Sequence, residues 1–208
     1  MATVQSEEDI CNLANSMLGN RNTINSIRSP KTDKEVVFAI WYPICRQYLL
    51  KKIMPNFALN RVVVSQKTVP DGYKDSYSFA YEYPARCLKL LGIGEITGDD
   101  LKATVENSLV FTNDDYGSGA TLRIIDDVTD VNKFSPEFVI NLAAELAKRV
   151  ALAVTQDNTK KTNATKEAQI EDANTTALNA QENKPVRKCT SRFRAARFGT
   201  PVSNTEKR

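Results

Sequence analysis

Three adjacent pairs of carboxylates, Asp99-Asp100, Asp114-Asp115 and Asp126-Asp127, are the side chains of this chain best equipped for chemistry. Paired carboxylates serve glycoside hydrolysis and divalent-cation binding. Each pair falls among turn-forming residues, and neighbours on a turn or strand point apart. No glycine-containing loop of alternating oxygen ligands surrounds them, so solvated turn acids are the preferred reading. Histidine is absent, which removes the commonest general base and zinc ligand and excludes Ser-His-Asp and Cys-His machinery. The four cysteines, Cys11, Cys45, Cys87 and Cys189, lack the close ligand pairs of zinc sites. Three stand among apolar neighbours and read as reduced core residues. Gly92-Ile93-Gly94 with Gly98 resembles a dinucleotide loop only in part: the third glycine is misplaced and no long helix follows, so a turn at a strand end is expected. These readings predict no catalytic residue, no cofactor and no metal ligand.

Aromatic residues form two groups. Phe38, Trp41, Tyr42 and Tyr48 sit at helical spacing and read as core and helix-contact residues. Tyr77, Phe79, Tyr81 and Tyr83 alternate along a strand, the pattern of a base-stacking platform, but without interleaved Lys or Arg they too read as packing residues. Asn163-Ala164-Thr165 and Asn174-Thr175-Thr176 match the glycosylation pattern. The polar, acidic start from Met1 to Asp9 has no basic, apolar leader, which predicts synthesis in the cytoplasm, where that modification does not occur.

Charge is divided unevenly. The chain of 208 residues carries 28 Lys+Arg against 25 Asp+Glu, a formal +3. Residues 184–208 alone hold eight basic side chains and one acid, Glu206, leaving a body of net −4. An acidic body does not clamp nucleic acid over many phosphates. The arm after Pro185 is the place to meet an acidic partner. Within it, Arg187, Lys188, Arg192, Arg194 and Arg197 surround Phe193 and Phe198, a composition suited to docking on a protein through guanidinium–carboxylate pairs and aromatic anchors.

The elements that must carry this arm are four helices and a set of short strands. Ser6 with Glu7, Glu8 and Asp9 caps a helix over about 6–18, stopped by Gly19. A second helix over about 33–53 places Val36, Val37, Ile40, Ile44, Tyr48 and Leu49 on one side, with a kink expected at Pro43. Ser135 and Pro136 open a strongly apolar helix over about 135–156. The segment 159–183 is polar and alanine-rich, with only Ile170 and Leu178 large and apolar. Such a thin stripe suggests a helix that buries those two residues against a neighbouring subunit. Short alternating runs from about 57 to 126 predict a small antiparallel sheet. The fold expected is therefore mainly α: a helical bundle with a small antiparallel β insertion, residues 1–183, and an extended arm, 184–208. No stretch approaches the ~20 apolar residues of a bilayer helix.

Several segments, taken in order, resemble one family. They are Asp9-Ile10-Cys11-Asn12-Leu13-Ala14 with Leu18-Gly19, Ile24-Asn25-Ser26-Ile27, Met54-Pro55-Asn56-Phe57-Ala58, Tyr81-Glu82-Tyr83-Pro84-Ala85-Arg86-Cys87-Leu88, Val128-Thr129-Asp130 and Phe134-Ser135-Pro136-Glu137-Phe138-Val139. Over residues 7–156 their order and spacing resemble the head-to-tail adaptor of short-tailed phages, also called tail tubular protein A or gatekeeper ring protein. The resemblance implies a non-enzymatic virion protein: a ring of twelve copies between the portal protein and the tail nozzle protein. Such a ring completes the head and gives the genomic double-stranded DNA its exit channel without binding it tightly. It also implies that the arm reaches toward the portal. Two rivals from other classes remain open on sequence grounds: a nucleic-acid-binding protein acting through the same arm, and a hydrolase using an acid pair.

Overall fold

In the computed structural model, residues 6–94, 96–97 and 102–182 are described. Four helices fall close to the expected spans: α1 (Glu7–Met17), α2 (Asp33–Ile53), α3 (Pro136–Thr155) and α4 (Asn158–Glu182). Ser6 and Asp9 form a reciprocal capping box on α1, as Thr32 and Glu35 do on α2, and Ser135 caps α3 with Pro136 in its first turn. The span of α2 continues through Pro43. It ends at Met54, whose left-handed backbone (φ 53°) turns the chain toward the sheet.

The β region is larger than an insertion in a bundle. Seven strands, β1 (Leu59–Lys67), β2 (Phe79–Glu82), β3 (Cys87–Ile93), β4 (Ile96–Thr97), β5 (Ala103–Glu106), β6 (Leu109–Thr112) and β7 (Gly119–Asp126), pair antiparallel in the order β4-β3-β7-β1-β2-β6-β5. Leaving aside the two-residue β4, six strands curl into a nearly closed, barrel-like wall. The expectation of a mainly α bundle with a small β insertion is corrected accordingly: the molecule combines a helical layer with a substantial antiparallel sheet. The curl originates in β1, which pairs with β7 from Leu59 to Ser65 and then with β2 through Gln66 and Lys67. A strand that changes partners along its length turns the corner of a sheet.

The sheet also has its own core. Val64, Tyr81, Ile93, Val110, Leu122 and Ile124 are buried together inside it, apart from the helical core. The helical core gathers Phe38, Tyr42, Leu49 and Leu50 of α2 with Phe138, Leu142, Leu146 and Val150 of α3. Phe57, Phe134 and Phe138 close its lower end with ring centroids 5.1–5.6 Å apart. The two cores meet at β7, where Ile124 faces the sheet interior and Ile125 the helices. One residue changes the face, as strand geometry requires.

On α2 only part of the expected apolar row is buried: Leu49 is, as are Phe38 and Tyr42, which read as core. Phe38, Tyr42, Cys45, Leu49 and Ile53 are buried, whereas Val36, Ile40, Ile44 and Tyr48 are exposed. Apolar side chains surround this helix on nearly every side, so period alone does not choose between the two rows.

Candidate interaction surface

The acid pairs serve structure where they are described. Asp114 takes no acid partner: its backbone N–H donates to Thr112 Oγ1, while Asp115 Oδ1 accepts from Gly117 N–H at 2.7 Å, the geometry of a turn between β6 and β7. Asp126 pairs with Arg86. Asp127 accepts from the buried Arg46 at 2.9 Å and from Gln47 at 2.8 Å, tying the end of β7 to the middle of α2. Asp99 and Asp100 lie outside the described residues. Among those residues no group of three His, Cys, Asp or Glu side chains could hold a metal ion.

Cys11, Cys45 and Cys87 are buried free thiols. Burial pushes the Cys45 thiol up to about 12 and raises those of Cys11 and Cys87. A protonated buried thiol is a poor nucleophile. Cys189 lies outside the described residues.

Most members of both aromatic groups are engaged in packing, but Tyr48, expected to be a core and helix-contact residue, is exposed. Tyr81 is buried, and its hydroxyl donates to Gly117 O and accepts from Tyr116 N–H. Tyr77 stacks on the buried Phe111 at 5.4 Å. Trp41 lies half-buried beneath the Arg149 guanidinium, 5.8 Å from its ring centroid. Gly94, with φ 60°, makes the turn at the end of β3, and a Cβ there would come within 2.9 Å of the Tyr116 ring. That position is a steric turn, and Gly98 lies outside the described residues.

Among the described residues the large apolar side chains left exposed lie mostly on helices, Val63 of β1 and Val105 of β5 apart. Only Ala164, Ala168 and Thr175 of α4 are buried, a narrow row of small side chains resting on α3. Ile170 is 61% exposed and Leu178 is exposed as well. Polar contacts fix the far end of α4: Lys52 pairs with Asp172 at 2.7 Å, Asn179 Nδ2 donates to Ile53 O, and Asn56 Nδ2 donates to Glu182 Oε2. Beside them, Glu137 and Ile140 of α3 with Glu171, Asn174 and Leu178 of α4 line an open cleft of about 410 Å³. The second apolar feature is the exposed row of α2, with Ile40 56% and Ile44 51% exposed.

The docking set Arg187, Lys188, Arg192, Phe193, Arg194, Arg197 and Phe198 lies outside the described residues. The chain enters that segment from Glu182, next to Asn56. Among the described residues no helix is long and apolar enough to cross a membrane.

Several organising residues carry no motif that a sequence reading would single out. Asn12 holds both the N–H and the C=O of Ile24, and Asn15 donates to Asn22 O. Glu35 accepts from Asn25 N–H with one oxygen and from Lys31 and Thr32 N–H with the other. These three side chains tie the loop between α1 and α2 to the helices. The capping-box pattern at Thr32 and Glu35 was the only local signal among them. Searches of protein-family models and of curated proteins find no match to this chain.

Proposed function

We propose that this chain is a structural connector of a phage virion, a head-to-tail adaptor that forms a ring between portal protein and tail nozzle. Its ring completes the head and lines the DNA exit channel, and the basic arm docks on the portal. The observation that carries the reading is α4. This helix of 25 residues buries only three of them and holds Ile170 and Leu178 out toward solvent. A helix so thinly supported within its own subunit gains most from packing against another. It also leads directly into a segment of net +7 with two aromatic anchors.

The charge division suits a passage for DNA. Each neutralised phosphate adds affinity, and many copies around a channel multiply the effect, so a body of net −4 avoids gripping the genome. The test is deletion of residues 185–208. The truncated chain should keep its circular dichroism and lose co-sedimentation with portal rings; continued co-migration would remove the docking role.

The same arm supports a second reading, binding to nucleic acid, because its charge is concentrated and paired with aromatics. That reading requires DNA affinity that falls steeply with salt and persists in the isolated arm. Absence of binding near physiological salt would dismiss it.

A further inference from the structure

The exposed row of α2 consists of Val36, Ile40, Ile44 and Tyr48, four residues apart in each case. Residues at that spacing form a ridge along a helix, and from Val36 to Tyr48 it extends about 18 Å at 1.5 Å per residue. Ridges of this kind pack into grooves between the rows of another helix surface. The same chain displays a groove of another kind that could take such a ridge, the open cleft between α3 and α4 lined by Ile140, Leu178, Glu137 and Glu171. Ridge and groove share no residue, so one copy cannot use the same patch for both.

Charge separates the two faces further. From Val36 to Lys52 the chain contains no acid, and the ridge ends in exposed Lys51 and Lys52. From Glu167 to Glu182 it contains four acids and no Lys or Arg. Within one subunit only the Lys52–Asp172 ion pair joins these two stretches. Among the described residues, Lys51, Glu137 and Glu171 make no ion pair.

We infer that the α2 ridge of one copy packs into the α3/α4 groove of a second copy, with Lys51 of the ridge against Glu137 and Glu171 at the groove. The occupant is thus another copy of this chain, joined head to tail. A contact between two unlike faces repeats from copy to copy and closes into a ring when its rotation permits. This inference rests on the ring in the connector reading and deepens it, because it names what covers Leu178 and the cleft beside it.

The experiment uses the full chain with Cys189 replaced by Ser, leaving only buried thiols. Chains carrying Ile44→Cys and chains carrying Leu178→Cys are treated with a flexible bismaleimide, separately and mixed, across a range of protein concentrations followed by sedimentation. Circular dichroism checks that each variant folds. The expected result is a linked dimer in the mixture and none in either variant alone. Glu171→Lys should weaken association about tenfold, and Lys51→Glu in the same chain should restore it. A dimer formed by Ile44→Cys chains alone would overturn the inference, since the α2 ridges would then meet each other. Rings or other large species without a mixed link would overturn it while leaving the ring reading intact. A chain that stays monomeric and unlinked at every concentration would overturn it too, and the connector reading would then rest on the arm-deletion test.

Discussion

Glu35 shows how much of this structure depends on single polar side chains that satisfy backbone some distance away. It is buried at the first turn of α2, and both its oxygens accept backbone N–H groups, from Asn25 at 3.1 Å and from Lys31 and Thr32 at 2.7 and 3.1 Å. The N–H groups of Lys31 and Asn25 hold its carboxyl below the ordinary value for glutamate. Hydrogen bonds to the charged form outweigh its burial here. A carboxyl depressed on folding stabilises the native state above its unfolded pKa of about 4.3, and that contribution disappears as pH falls through the lower folded value. Glu35→Gln should therefore unfold at lower urea than the wild type at pH 7, with the gap closing below about pH 4. Urea midpoints measured from pH 7 to pH 3 check this. A gap that stays constant with pH would mean that shape, not charge, is what the site requires.

The elements differ in how far they could be read in advance, and the reason is the range of the interaction that defines them. Caps act within three residues, so Ser6 and Ser135 announced α1 and α3 directly. The exposure of Ile40 and Ile44 was hidden because two apolar rows compete on α2, and only α3 packed against the helix decides for Phe38 and Tyr42 over them. Sheet size was hidden for a related reason. All the strands but β4 were visible as short apolar or alternating runs, but the pairing of β1 with β7 joins residues some sixty positions apart. No local pattern encodes such a partner. Of the candidate interface residues, Ile170 and Leu178 stood out by contrast with the polar segment around them, whereas the α2 ridge looked like core. Support within the subunit also predicts dynamics. Because α4 rests on α3 through Ala164, Ala168 and Thr175, its amides should exchange through a local opening before those of α3, which is buried along most of its length. Hydrogen exchange of the unassembled chain tests the order, and equal protection in both helices would contradict it.

At the scale of the whole molecule, two cores must behave as one body if the helical layer and the sheet are to hold a fixed orientation. Leu59 of β1 and Leu88 and Leu91 of β3 pack against the helical core, and two further features join the layers. Strand β7 gives Ile124 to one core and Ile125 to the other, and just beyond it Asp127 reaches Arg46 in the middle of α2. The Arg46 side chain is 7% exposed, so losing its partner strands a charge out of water. Breaking a buried pair from one side costs about 3–5 kcal/mol. Asp127→Ala should accordingly destabilise the chain by about 3 kcal/mol. The sole tryptophan, Trp41, reports on the helical layer, and tyrosines such as Tyr81 and Tyr116 report on the sheet. In the wild type, Trp41 fluorescence and tyrosine near-ultraviolet circular dichroism should follow one urea transition, the signature of a single cooperative unit. In Asp127→Ala both should move to lower urea together, because β7 still spans the junction. A Trp41 transition that shifts while the tyrosine transition stays in place would show that the shared strand alone does not couple the two cores, and that the ion pair is what makes them one.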